Sequence, residues 1–155
     1  MQTLRSSDFP CDIPRSFDLG FCTIDIVSEN IAEIVIKEGV EVTGAMVEQC
    51  LGVLRGVLEA PFCLLVNECN SHSYDFRAQT ALGATDDLLA VALVSEKPLM
   101  DMAACCLMRQ PRPTHWPMAV FSNREDALAL LNALQGGRKE VSATVAKFPH
   151  GVGIF

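Results

Sequence analysis

Residues 88–94 read Leu-Leu-Ala-Val-Ala-Leu-Val, an apolar run uninterrupted by any polar side chain. It is far shorter than the roughly 18 residues of a membrane span. It also lacks the alternation of a strand with one wet face, so it reads as a strand covered on both faces, the usual condition of parallel strands beneath crossover helices. Two further runs have the same character, Phe62 to Val66 and the shorter Met118 to Phe121. The connectors between these runs carry helical spacing, which makes each strand-to-strand step a right-handed crossover.

Working outward toward the N-terminus, the pattern changes to period two. Cys22, Ile24 and Ile26 alternate with Thr23 and Asp25, Ser28-Glu29-Asn30 supplies a polar turn, and Ala32, Ile34 and Ile36 alternate with Glu33 and Lys37. This predicts an antiparallel hairpin that Gly39 ends. Thr43 is the expected N-cap of a helix to about Glu59, with Met46, Cys50, Val53 and Val57 beside Val47, Leu51, Leu54 and Leu58 at helical spacing; Ala60-Pro61 stops it.

A weaker helix is expected over Ser73 to Ala84, on Phe76, Ala78, Ala81 and Leu82. A third starts with Pro98 in its first turn and continues through Leu99, Met102, Ala103, Cys106 and Leu107 until Pro111 and Pro113. Ser122-Asn123-Arg124-Glu125 matches the S-x-x-E capping box of a final helix carrying Ala127, Leu128, Leu131 and Leu134 and ending before Gly136-Gly137. The expected class is α/β, a mixed sheet of about five strands with about four helices in the order β-β-α-β-α-β-α-β-α. Residues 1–18 read as an extended lead-in, 19–136 as one domain, and 137–155 as an apolar tail whose Pro149, Gly151 and Gly153 deny it a helix.

The 155 residues suit one domain and are half hydrophobic, which excludes disorder and collagen. Nineteen acids against twelve bases give a net charge of −7, opposed to sequence-independent binding of nucleic acid or anionic lipid. From Asp25 to Glu59 seven acids face two bases, read as the solvated side of the hairpin and first helix. The start, MQTLRSSDFPCDIPRS, has no apolar h-region, so a cytoplasmic protein without signal peptide or membrane insertion is expected. Seven cysteines, Cys11, Cys22, Cys50, Cys63, Cys69, Cys105 and Cys106, fall mostly in apolar runs and read as reduced, hydrophobe-like thiols. No C-x-x-C or His-x-x-x-His spacing frames a metal, and no glycine-rich phosphate loop follows a strand, so no metal or cofactor is expected. Asp86-Asp87 precedes a strand and reads as a turn.

The succession IAEIVIKEGVEVT (31–43), AVALVSEKPL (90–99), a helix, and RPTHWPMAVFSNREDALALL (112–131) resembles the small stand-alone bacterial STAS-type proteins related to anti-sigma factor antagonists, the SpoIIAA-like family. The resemblance spans roughly Leu19 to Leu134. It implies a non-enzymatic regulatory module binding a protein partner or small ligand. In the family's regulatory branch the loop after the third strand presents a phosphorylatable serine; the matching stretch is Val66 to Tyr74, in which Asn67 replaces the strand-end aspartate and no D-S-x-G follows. Asn67, Cys69, Ser71, His72 and Ser73 are therefore the candidate regulatory or binding loop. A phosphate at a helix start would gain from free N–H groups. The plainer alternative has Ser73 capping its helix and Ser71 in a turn.

Cys69 and His72 share that loop, and Cys-His proximity is how a thiolate nucleophile is made, although no orienting residue is recognisable. Arg109, Arg112, His115 and Trp116 lie in the acid-free segment MRQPRPTHWP (108–117) and form a candidate partner-binding loop, or a connector with Trp116 as its packing anchor. A second functional class is a binder of lipid or a small apolar molecule in a cavity between sheet and helices, lined by Met100, Met102, Met108 and Met118. The apolar tail makes a homo-oligomer an open possibility.

Overall fold

A computed structural model describes residues 15–96, 102–109 and 116–137. Its strands are β1 (Ser16–Asp18), β2 (Cys22–Ser28), β3 (Ile31–Ile36), β4 (Glu41–Val42), β5 (Phe62–Asn67), β6 (Ser73–Tyr74), β7 (Leu88–Val94) and β8 (Met118–Phe121). The helices are α1 (Gly44–Val57), α2 (Phe76–Gly83), α3 (Met102–Arg109) and α4 (Arg124–Gly136).

Six strands form one mixed sheet in the order β1-β2-β3-β5-β7-β8. β1, β2 and β3 pair antiparallel, and β3, β5, β7 and β8 pair parallel. The α/β class, the N-terminal hairpin and the parallel strands agree with the sequence reading. The sixth strand comes from the end of the lead-in, where Ser16–Asp18 pairs with Thr23 to Asp25 as an edge strand too short to carry a periodic signal. A separate two-stranded parallel sheet, β4 with β6, is likewise too short to be read from pattern.

Alternate side chains along the central run point to opposite faces. Val91 and Leu93 join Ile24, Ile34, Leu64 and Val66 beneath residues of α1, α2 and α3. Ala90, Ala92 and Val94 join Ile31, Cys63 and Leu65 beneath α4. The parallel strands advance across the sheet in one direction, so the crossovers through α1, α2 and α3 share a face and α4 covers the other.

Thr43 caps α1 as expected, its Oγ1 accepting from the Met46 N–H at 3.2 Å. The second helix starts later than Ser73: Asp75 is its N-cap, accepting from the Ala78 N–H at 2.7 Å, while Ser73 lies in β6 and donates its N–H to the Val40 carbonyl. Ser73 therefore caps nothing, because a carboxylate two residues on competes better for the free N–H groups. At α4 the cap moves from Ser122 to Asn123, which accepts from the Asp126 N–H at 2.9 Å and donates its amide to the same residue's carboxylate. The expected apolar stripe of the third helix holds at Ala103 and Leu107, whereas Met102 is 75% exposed. Pro98, Leu99, Met100, Pro111, Pro113, the lead-in before Arg15 and the tail from Arg138 lie outside the described residues.

Asp75→Ala and Asn123→Ala should each lower unfolding stability by about 1 kcal/mol in urea titrations, while Ser73→Ala and Ser122→Ala stay within about 0.5 kcal/mol of the parent.

Candidate functional site

β3, β5 and β7 end side by side, and the segment from Asn67 to Ser73 leaves the sheet at this carboxyl edge. Asn67 is the last residue of β5 and projects to the α4 face, where its Nδ2 donates to Glu33 Oε2 at 3.0 Å. Arg124, in the first turn of α4, donates from Nε to Glu33 Oε1 at 3.0 Å, and this contact holds its guanidinium still more firmly charged. Glu33 is only 8% exposed, so it departs from the solvated role expected of the acids in this stretch. A buried carboxylate persists only with such partners.

Beyond Asn67 the backbone is stitched down at almost every step. Glu68 N–H donates to the Val94 carbonyl at 2.8 Å. The Asn70 side-chain amide donates to the Ile36 carbonyl at 2.9 Å, and Ser71 N–H to Glu38 Oε1 at 3.1 Å. Gly39, with φ of 77° that disfavours any side chain, returns its N–H to the Ser71 carbonyl at 2.7 Å. Ser73 then donates to Val40 at 3.0 Å and Asp75 to Val42 at 2.9 Å. The loop thus lies zipped to the β3–β4 connection.

Inside it the side chains of Glu68 and His72 are each 1% exposed and meet at 2.5 Å, Oε2 to Nε2. His72 Nδ1 lies 2.8 Å from the Asn70 carbonyl, and Nε2 lies 3.0 Å from the Tyr74 hydroxyl, whose ring stands edge-on to the imidazole at 85°. Tyr74 also donates to Glu68 Oε2 at 3.5 Å. A carbonyl can only accept, so Nδ1 carries a proton; the Nε2 to Oε2 contact then requires a second proton between those atoms. The network therefore holds one proton more than a neutral imidazole and a carboxylate would together, either as imidazolium and carboxylate or with that proton moved onto Glu68.

The sequence-level candidates separate accordingly. His72 is a buried strut, Asn67 links the strand to Glu33, and Cys69, Ser71 and Ser73 are exposed on the loop surface. Both ring nitrogens of His72 already have oxygen partners, so the imidazole is not directed to Cys69. Glu68, Asn70, Tyr74, Glu33, Glu38 and Arg124 escaped the sequence reading. Glu68 and His72 are four residues apart in a loop, where spacing fixes no geometry, and Arg124 reaches Glu33 across 91 residues of chain.

In the second candidate loop Arg109 is exposed at the end of α3, while Arg112 and His115 lie outside the described residues. Trp116 is buried, its indole N–H donating to the Thr85 carbonyl at 2.9 Å. Asp87 pairs with Arg55 and accepts from Phe62 N–H through its carbonyl. Between sheet and helices lies an apolar cavity of about 50 Å³ lined by residues such as Phe21, Ile36, Cys50, Leu54 and Leu107; Met102, Met108 and Met118 do not line it, and Met100 lies outside the described residues. Among the described residues no cluster of three or more His, Cys, Asp or Glu side chains could hold a metal, and no helix is long and apolar enough to cross a membrane. Comparisons with protein-family models, with curated proteins and with solved structures return no match for this chain.

Glu68→Leu and His72→Leu should each cost about 3 to 5 kcal/mol of unfolding stability, since each strands a buried polar partner, while the double variant loses far less than their sum. A double-mutant cycle in urea measures the coupling, and Cys69→Ser should leave stability within about 0.5 kcal/mol.

Proposed function

We propose that this chain is a cytoplasmic, non-enzymatic, STAS-like binding module that engages a protein partner through the loop from Asn67 to Ser73. The observation that carries the reading is a surface loop held rigid from below. The buried Glu68–His72–Tyr74 network and the hydrogen bonds to the β3–β4 connection fix the backbone, while Cys69, Ser71 and Ser73 face outward. A preordered loop loses little conformational entropy on association, which favours binding without chemistry. Its position agrees with the general rule that parallel sheets recognise ligands beyond the carboxyl ends of their strands.

A phosphate on Ser71 would act as a switch here through repulsion. It would add nearly two negative charges beside Glu38, which accepts the Ser71 N–H. The resulting loss of that contact would loosen the loop and change the surface seen by the partner. Binding of lipid or a small apolar molecule has weaker support, because ligand pockets usually span roughly 300 to 1,000 Å³ and the apolar cavity is about 50 Å³.

Tagged protein recovered from its native host should bring down a protein partner in stoichiometric amount. Cys69→Arg should abolish that recovery with folding intact, and Glu59→Arg, at the opposite edge of the sheet, should not. Equal recovery with all three forms, or no partner with the parent, would contradict the reading. Phosphopeptide mapping of the same material tests Ser71 and Ser73 as modified residues.

A further inference from the structure

Cys22 on β2 and Cys50 on α1 face one another across the sheet–helix interface, with their sulfurs 3.6 Å apart. Neither belongs to the loop described above. Cys22 is fully buried and Cys50 is 8% exposed, and both are free thiols. A disulfide needs the sulfurs at about 2.05 Å, so closure requires the two sulfurs to approach by about 1.5 Å. The surroundings permit this: Cys50 and Phe21, the neighbour of Cys22, line the apolar cavity of about 50 Å³. A fully packed core would resist the same movement. The hydrogen bond between the two sulfurs lowers the Cys22 thiol below its ordinary range and, with burial, pushes the Cys50 thiol above it, so Cys22 is the readier of the two to give up its proton.

We infer that Cys22 and Cys50 form a reversible intrachain disulfide, joining β2 to α1, when the protein meets a peroxide-class oxidant. Cys22 gives up its proton and its thiolate attacks a peroxide oxygen. The O–O bond breaks, two electrons pass from sulfur to oxygen, and the departing hydroxide takes up the proton as water, leaving a sulfenic acid on Cys22. Cys50 then loses its proton and attacks that sulfur; the S–S bond forms, the S–O bond breaks, and hydroxide and proton leave as a second water. Two thiols and one hydrogen peroxide thus give one disulfide and two waters. The closing step joins atoms already in contact, so it outruns further oxidation to sulfinic acid. A dithiol reductant reverses it.

The link spans 28 positions of sequence and fastens α1 to the sheet, restricting the unfolded chain. It should raise the thermal midpoint by about 10 °C. The test treats the folded full chain with hydrogen peroxide at about pH 8, where more thiolate is present. Remaining thiols are then alkylated in denaturant, and the protein is digested without reductant for mass spectrometry. The expected result is a linked peptide pair containing Cys22 and Cys50 that dominates over links from the other cysteines. It should disappear with dithiothreitol and lose its dominance when oxidation is done on urea-unfolded chain. Cys50→Ser, or Cys22→Ala should that variant not fold, should lack both the link and the midpoint rise. Recovery of Cys22 and Cys50 as alkylated thiols while Cys69 is oxidised, or linkage of Cys22 to another cysteine, would overturn the inference.

Discussion

β5 and β7 present apolar side chains to both sides of the sheet, so neither strand can exist with one face in water. Two helical layers must cover them. Crossovers between parallel strands that advance in one direction across the sheet place α1, α2 and α3 together on one face, and α4, after β8, covers the other. Leu130, Leu131 and Leu134 close that second core over Cys63, Leu65 and Ala92. The same constraint positions the carboxyl edge. Strands anchored on both faces hold Asn67 and Val94 in register, and Glu68 is still paired with the Val94 carbonyl as the chain leaves the sheet.

At that edge the fold accepts an internal polar network. Glu68 and His72 are buried almost completely, a costly arrangement in an apolar setting that becomes tolerable because Asn70 and Tyr74 supply further polar contacts. The return is specificity of conformation. An imidazole with one nitrogen on a carbonyl and the other on a carboxylate admits one orientation, and the loop backbone follows it. Glu33, Asn67 and Arg124 repeat the device on the opposite face, tying the start of α4 to β3 and β5. The exposed loop residues thereby rest on two supports, one within the loop and one behind the strand that feeds it.

Long-period features were legible in the residues themselves. The unbroken runs at Phe62 to Val66 and Leu88 to Val94 marked two-faced strands, the alternation from Cys22 to Ile36 marked the hairpin, and Thr43 marked the start of α1. Short pieces were not, because β1, β4 and β6 comprise two or three residues each and are defined by their partners. Caps were misplaced by one or two residues where a stronger acceptor lay nearby, Asp75 instead of Ser73 and Asn123 instead of Ser122. The loop drew attention through Cys69, Ser71 and His72, yet its organising residues, Glu68 and Tyr74, carry no motif. Their role arises from side chains folding back on a short loop, and from long-range contacts such as Asn70 to Ile36, which local pattern does not encode.

The central claim is that the loop is a rigid platform held from within by the Glu68–His72 pair. Native-state amide hydrogen exchange at Gly39 and Ser73 reads it directly, since their N–H groups bond to Ser71 and Val40 across the loop. The account predicts that both amides are strongly protected in the parent protein and lose that protection in His72→Leu, while the amides of β7 remain protected in both. Gly39 and Ser73 exchanging in the parent as fast as an unstructured chain, or staying equally protected without His72, would contradict it.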